Sequence, residues 1–199
     1  MKSEYYQLIT IAVTIISLFI SNYLGQRAHR LQHQYGNKEI AYKKFYLPII
    51  QQLHETNKEH RNYFTLIVLY RYAPGKSGDW FSNHITNNLE FAPTKVAELI
   101  SEYNICTNGA EMFYSPDGYR ENYRKNAIRA SELFDSMLII ILEEAKILSK
   151  TLGYPDIATP LLNDFQNIEA TPMNHPKYLP EIYQECFPNI FEGDKPPYY

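Results

Sequence analysis

One stretch limits what this chain can fold into more than any other. An apolar run begins near Tyr5, ends near Leu24 and is followed at once by Arg27 and Arg30. At a rise of about 1.5 Å per residue, about twenty such residues span a hydrocarbon core of about 30 Å. Between Leu8 and Ile20 the polar interruptions are Thr10, Thr14 and Ser17, and each hydroxyl can bond back to a carbonyl of its own helix. Tyr5, Tyr6 and Tyr23 sit where interfacial aromatics are expected. A cleaved secretory signal fits poorly: cuts after Gly25 or Ala28 would put Tyr23 or Gln26 where a small residue is wanted. The run therefore predicts a retained transmembrane helix over residues 5–24.

The flanks predict its direction. Lys2 precedes the run, whereas Arg27, Arg30, Lys38, Lys43 and Lys44 follow it, and the side richer in Lys and Arg stays in the cytoplasm. These five residues are the candidate determinants of topology. Residues 1–4 are expected outside and everything from Gly25 onward inside, a single-pass arrangement in a cell inner membrane. Two cysteines, Cys106 and Cys186, and the lack of any Asn-x-Ser/Thr sequence agree with a reducing compartment.

The remaining sequence, about 175 residues, suffices for one domain with a real core. A formal charge of −3 gives no field that would favour nucleic acid. The chain has 18 tyrosines and 10 phenylalanines, an excess that favours contact surfaces because such rings combine an apolar body with a polar tip.

Periodicity predicts helices throughout. Leu24, Ala28, Leu31, Tyr35, Lys38, Tyr42, Phe45 and Ile49 recur at alternating gaps of four and three, a heptad seam that can self-associate or pack on the chain's own helices. Gly36-Asn37 can end one helix and cap the next, and Pro48 should kink or break a helix running from Lys38 to about Tyr72. Phe64 to Leu69 forms a buried patch, read as helix. Shorter helices are expected over Trp80–Leu89 and Pro93–Tyr103, with a turn at Asn108-Gly109.

The longest helix should open at Ser115-Pro116-Asp117 and close at Gly153. Its wholly apolar segment Met137 to Leu142 marks it as the central post of a bundle or a contact for a second subunit. From Asp156 the chain is rich in proline and is expected to wrap the bundle. The fold class expected is thus all-α: one transmembrane helix, a juxtamembrane stalk over 25–37, a cytoplasmic helical bundle over 38–155 and a proline-rich C-terminal segment over 156–199.

No arrangement predicts catalysis, a cofactor or a metal. His54-Glu55 lacks the second histidine of a zinc-protease helix, since position 58 is Lys58 and the next histidine is His60. His29 and His33, one helical turn apart, can share a metal or respond to pH, although a solvated face explains them as well. Gly75-Lys76-Ser77 misses the earlier glycine of a phosphate loop, where Tyr70 stands. Glu132 with Asp135, and Glu143 with Glu144, read as solvated helix faces. The best candidate for binding is Tyr119, Arg120, Tyr123, Arg124, Lys125 and Arg129, where basic groups beside aromatic faces can hold a phosphate or stack a base. Pro196-Pro197-Tyr198-Tyr199 matches the P-P-x-Y ligand of WW domains, against the simpler reading of a tail end.

The stretch Glu39-Ile40-Ala41-Tyr42-Lys43-Lys44-Phe45-Tyr46-Leu47-Pro48-Ile49, just inside the basic flank, resembles a pattern in small, uncharacterised bacterial signal-anchor membrane proteins with a helical cytoplasmic domain. The resemblance implies a bacterial inner-membrane accessory protein, some relatives of which lie among phage-defence or stress genes. Two functions are expected from the whole. The first is a non-catalytic interaction module or membrane-complex subunit, homo-oligomeric, with the lipid bilayer and a partner protein as its contacts. The alternative is a membrane-anchored sensor that binds a phosphorylated small molecule or anionic headgroup through the arginine cluster.

Overall fold

A computed structural model describes residues 2–58, 61–69, 79–111 and 121–167, with side chains in the first helix described for Thr14 and from Ile16 onward. All regular structure among these residues is helical. In chain order it comprises α1 (Lys2–Ala41), a first π turn (Tyr42–Tyr46), α2 (Leu47–Glu55), a second π turn (Phe64–Leu69), α3 (Trp80–Asn87), a 3-10 turn (Leu89–Phe91), α4 (Thr94–Glu111), α5 (Glu121–Leu152) and α6 (Ala158–Asn167). The chain divides into two compact units, Met1–Ile40 and Ala41–Tyr199.

The first unit is a single helix. Gly36-Asn37 does not interrupt it, because one glycine costs a helix only about 1 kcal/mol and regular turns on both sides outweigh that. Its described apolar side chains are uncovered on every side: Leu18 is 65% exposed, Phe19 73%, Ile20 54% and Tyr23 66%. Among the described residues no helix is long and apolar enough to cross a membrane. The side chains of residues 5–13 and of Ile15, about half of the apolar run, lie outside the described residues.

The second unit has one continuous core. α5 packs along α4 and against α6 and the first π turn, α2 touches α6, and α3 lies on α4. Met137, Leu138, Ile141 and Leu142 are fully buried, with Ile139 and Ile140 partly so, which makes α5 the central post. The rings of Tyr63, Phe81, Tyr103 and Phe134 meet edge to face at its middle, with Phe81 4.8 Å from Phe134 and 6.0 Å from Tyr103. Among the described residues, Tyr42, Tyr46, Tyr63 and Tyr103 are buried and serve the core. Their hydroxyls find partners where needed, as when Tyr103 donates to Asp79 at 2.6 Å and Tyr46 to the Phe91 carbonyl at 3.3 Å.

Pro48 does not break its helix. It occupies the first turn of α2, and the backbone widens just ahead of it, where the Leu47 N–H reaches back five residues to the Tyr42 carbonyl. A proline ring collides with the carbonyl four residues earlier in an α-helix, and a π turn there relieves the collision. The heptad seam changes partners at this point. Tyr42, Phe45 and Ile49 enter the core, whereas Leu24, Leu31 and Tyr35 stay exposed. The break expected at Pro48 falls instead at Thr56, which is extended (φ −95°, ψ 132°).

Both π turns are held by α3. His84 Nε2 donates to the Phe45 carbonyl at 2.8 Å, and Trp80 Nε1 donates to the Leu66 carbonyl at 2.7 Å. α3 itself starts on Asp79, whose Oδ1 accepts from the Ser82 N–H at 3.0 Å as a helix N-cap.

Asn108-Gly109 is not a turn, since α4 continues to Glu111. The glycine serves helix contact instead: a Cβ at Gly109 would lie 2.9 Å from Asn126 Cγ on α5 and closer still to its amide nitrogen. Gly109→Ala is therefore expected to destabilise the bundle by about 1 kcal/mol, because the crowding outweighs the helix preference of alanine. In urea unfolding, Gly109→Ala/Asn126→Ala should regain that loss; equal losses in both backgrounds would show the contact is not the cause.

α5 ends as expected. Gly153 adopts φ +72°, its N–H meets the Lys150 carbonyl at 3.4 Å, and the Tyr154 N–H meets the Ser149 carbonyl at 2.9 Å, a Schellman closure. Asp156 then accepts from the Thr159 N–H at 2.9 Å and from its hydroxyl at 2.6 Å, which caps α6. The opening expected at Ser115-Pro116-Asp117, the Gly75-Lys76-Ser77 loop, Cys186 and the C-terminal wrap from residue 168 all lie outside the described residues.

Candidate functional site

The arginine cluster is drawn partly into structural pairing. Arg129 is clamped by carboxylates, with Nε 2.7 Å from Glu102 Oε1 on α4 and Nη1 3.4 Å from Glu132 Oε2. That pair holds the Glu102 carboxyl below its ordinary range, the hydrogen bond from Arg129 being the main cause. Arg124 is half-buried and Lys125 exposed on α5; Tyr119, Arg120 and the side chain of Tyr123 lie outside the described residues.

Of the topology candidates, Arg27, Arg30 and Lys38 are exposed on α1, and Lys43 and Lys44 are exposed in the first π turn. Lys44 Nζ lies 5.8 Å from the centre of the Phe91 ring. The rings of His29 and His33 meet edge-on at 4.5 Å. His54 Nε2 is 3.1 Å from the Ile157 carbonyl, a contact between α2 and the start of α6. Cys106 is buried, and burial pushes its thiol up. Among the described residues no three His, Cys, Asp or Glu side chains gather as a metal site requires.

The second unit also carries an open, carbon-lined cleft. Tyr42, Lys43 and Leu47 face Tyr154, Pro155 and Ile157 across an open cleft of about 330 Å³. The first π turn and the first residue of α2 supply one wall, and the residues that follow Gly153 supply the other. The Tyr42 and Tyr154 rings are 5.5 Å apart, tilted by 47°. Burial raises the Tyr42 hydroxyl above its ordinary range, with Asp156 and Tyr154 adding to the effect. The walls are almost entirely carbon, and Lys43 stands at the rim. Tyr42 is itself buried, so the accessible part of the lining comes from Leu47, Tyr154 and Ile157, each partly buried, and from exposed Lys43 and Pro155.

Periodicity alone could not reveal this cleft, because Tyr42 fits the heptad seam equally well; the adjoining Pro48, Gly153 and Pro155 were its local signals. Compared with known proteins, the chain matches no family model, no curated protein and no solved structure.

Proposed function

We propose that this chain is a membrane-tethered interaction module without catalysis of its own, working as a homo-oligomer or as a subunit of a membrane complex in a bacterial inner membrane. Residues 5–24 would span the bilayer, with the N-terminus outside and the bundle in the cytoplasm. One observation carries the reading: Leu18, Phe19, Ile20, Tyr23 and Leu24 are all more than half exposed on one helix. Successive helical residues point about 100° apart, so these side chains face in all directions, and a partner groove covers only one stripe. Lipid covers every side. The sequence continues the same apolar character back to Leu8.

Self-association has support on the same helix. Ser17, Ser21, Gly25 and Ala28 follow one another at gaps of four, four and three, and a Cβ at Gly25 would meet nothing within 4 Å. Rows of small residues let helices approach closely in lipid.

The full chain in isolated membranes is therefore expected to resist alkaline carbonate extraction, and Phe19→Arg/Ile20→Arg should release it. Crosslinking in mild detergent should give a species of two or more chains that Gly25→Ile reduces. Extraction of the unaltered protein would overturn the membrane reading; a strict monomer would overturn self-association.

A further inference from the structure

His29 and His33 stand one turn apart on α1, both exposed, and their rings meet edge-on with centroids 4.5 Å apart and planes at 67°. We propose that the pair chelates one divalent transition-metal ion of the zinc class per chain.

The ring nitrogens are available. Neither histidine makes a hydrogen bond or ion pair among the described residues. By contrast, Nε2 of His54 and Nε2 of His84 are engaged with the backbone carbonyls of Ile157 and Phe45. Neutral imidazole is the commonest metal ligand, and residues four apart on a helix share a face. In a tetrahedral zinc site, with Zn–N of about 2.0–2.1 Å, two imidazole centroids lie about 5 Å apart, so these rings need to open by less than about 1 Å. Side-chain rotation on an exposed face supplies that.

The same face leaves room for the rest of the coordination shell. Asn22, Gln26, His29 and His33 fall within about 60° of arc around the helix. Ser21, Asn22, Gly25, Gln26, His29 and Arg30 line an open groove of about 550 Å³. Gln26 Nε2 donates to Asn22 Oδ1 at 3.3 Å, and Gln26 Oε1 has no partner among the described residues. That oxygen, or water, completes the set. Two histidines hold an ion less firmly than the three or four protein ligands of a closed site, so the ion exchanges readily.

Charge decides which ion fits. Arg27 and Arg30 are exposed on the same turns and repel any cation. Mg²⁺ and Ca²⁺, which want oxygen ligands, gain nothing there to offset the repulsion. Zinc, copper and nickel bond to imidazole directly. A bound ion links one turn of α1 between Gly25 and Gly36, its poorest helix formers, and so stiffens the helix where it is weakest. Both histidines lie within one turn of one helix, which makes the inference independent of the membrane reading and of self-association.

The test is Zn²⁺ titration of the full chain, without a histidine tag and in mild detergent, against a chromophoric chelator. The unaltered chain should bind one more Zn²⁺ than His29→Ala/His33→Ala, and excess Mg²⁺ should not displace it. Each single alanine variant should weaken binding about tenfold or more, because one imidazole forfeits the chelate. His33→Ala/Gln34→His keeps two histidines but sets them about 140° apart, and it should bind as weakly as His33→Ala. His33→Cys supplies another zinc ligand and should recover most of the loss. Arg30→Gln should tighten binding, the reverse of what removing a charge from an acidic site's surroundings does not predict for a bystander. No binding, binding that the alanine variants leave unchanged, equal binding by the relocated pair, or displacement by Mg²⁺ would overturn the proposal. So would half an ion per chain, which would assign the metal to a site shared between copies.

Discussion

Replacing Arg61 with alanine is expected to lower the unfolding free energy of the bundle by about 3 kcal/mol. The guanidinium is only 11% exposed and closes a break in the backbone. Its Nε donates to the Leu53 carbonyl at 2.8 Å and the Thr56 carbonyl at 3.0 Å, the end of α2 where helical carbonyls lack partners. Its Nη1 donates to Asp164 Oδ2 on α6 at 2.7 Å, while Lys58 holds the other oxygen at 2.7 Å. Removing the fork takes the Arg61 donor from the Thr56 carbonyl, leaves the Leu53 carbonyl only the Thr56 N–H at 3.3 Å, and strips half the partnership of a carboxylate. Arg61→Lys keeps the charge without the fork and should recover less than half of the loss. A loss below about 1 kcal/mol in urea unfolding would sink this account.

Asp164 adds a pH signature. Its carboxyl is held below the ordinary range, chiefly by the hydrogen bond from Lys58 and then by the charges of Lys58 and Arg61. The folded group therefore releases its proton more readily than the unfolded one. Its stabilisation is complete above about pH 4 and is lost as pH falls through the lower folded value.

Asp135→Asn is expected to do the opposite of a usual core change and stabilise the protein, by about 2 kcal/mol at pH 8. Asp135 is partly buried on α5 beside buried Ser131 and Leu138, and it has no hydrogen bond or ion pair among the described residues. Burial alone pushes its carboxyl up to about 7. Because the folded group binds its proton more tightly, stability is full below about pH 4 and declines as pH rises to about 7. At full burial that displacement costs about 4 kcal/mol; the part still reaching solvent roughly halves it. Melting temperature against pH should fall between pH 5 and pH 7 in the unaltered protein and be flat in Asp135→Asn. An unchanged slope in the variant would remove Asp135 as its source.

The sequence-level grouping of Asp135 with Glu132 as one solvated face shows where local reading stops. Spacing gives the angle of a residue on its helix but not what lies opposite. The steps of three and four from Ala127 through Phe134 and Ile141 to Leu152 were legible because one long helix buries one continuous face. The Gly153 closure was legible because a left-handed residue after a periodic run has few other causes. Gly109 carried the same local signal for a different reason, contact with Asn126. Arg61 was silent for the same reason, its carboxylate partner being 103 residues away. Arg129 looked available in a basic stripe until Glu102, on another helix, came into view.

The two π turns have a consequence for how the chain is made. Pro48 favours the first wide turn locally, and each of the two turns also has a carbonyl taken by a side chain of α3. The Phe45 carbonyl waits for a histidine 39 residues downstream and the Leu66 carbonyl for a tryptophan 14 residues downstream. Translation delivers about 5–20 residues per second, so the segment holding Phe45 and Tyr46 leaves the ribosome seconds before its partner. During that interval the Phe45 carbonyl lacks its histidine donor. Arrival of the α3 segment then supplies the side-chain donor to both turns, so eight residues in the middle of the chain complete both irregular parts of the fold.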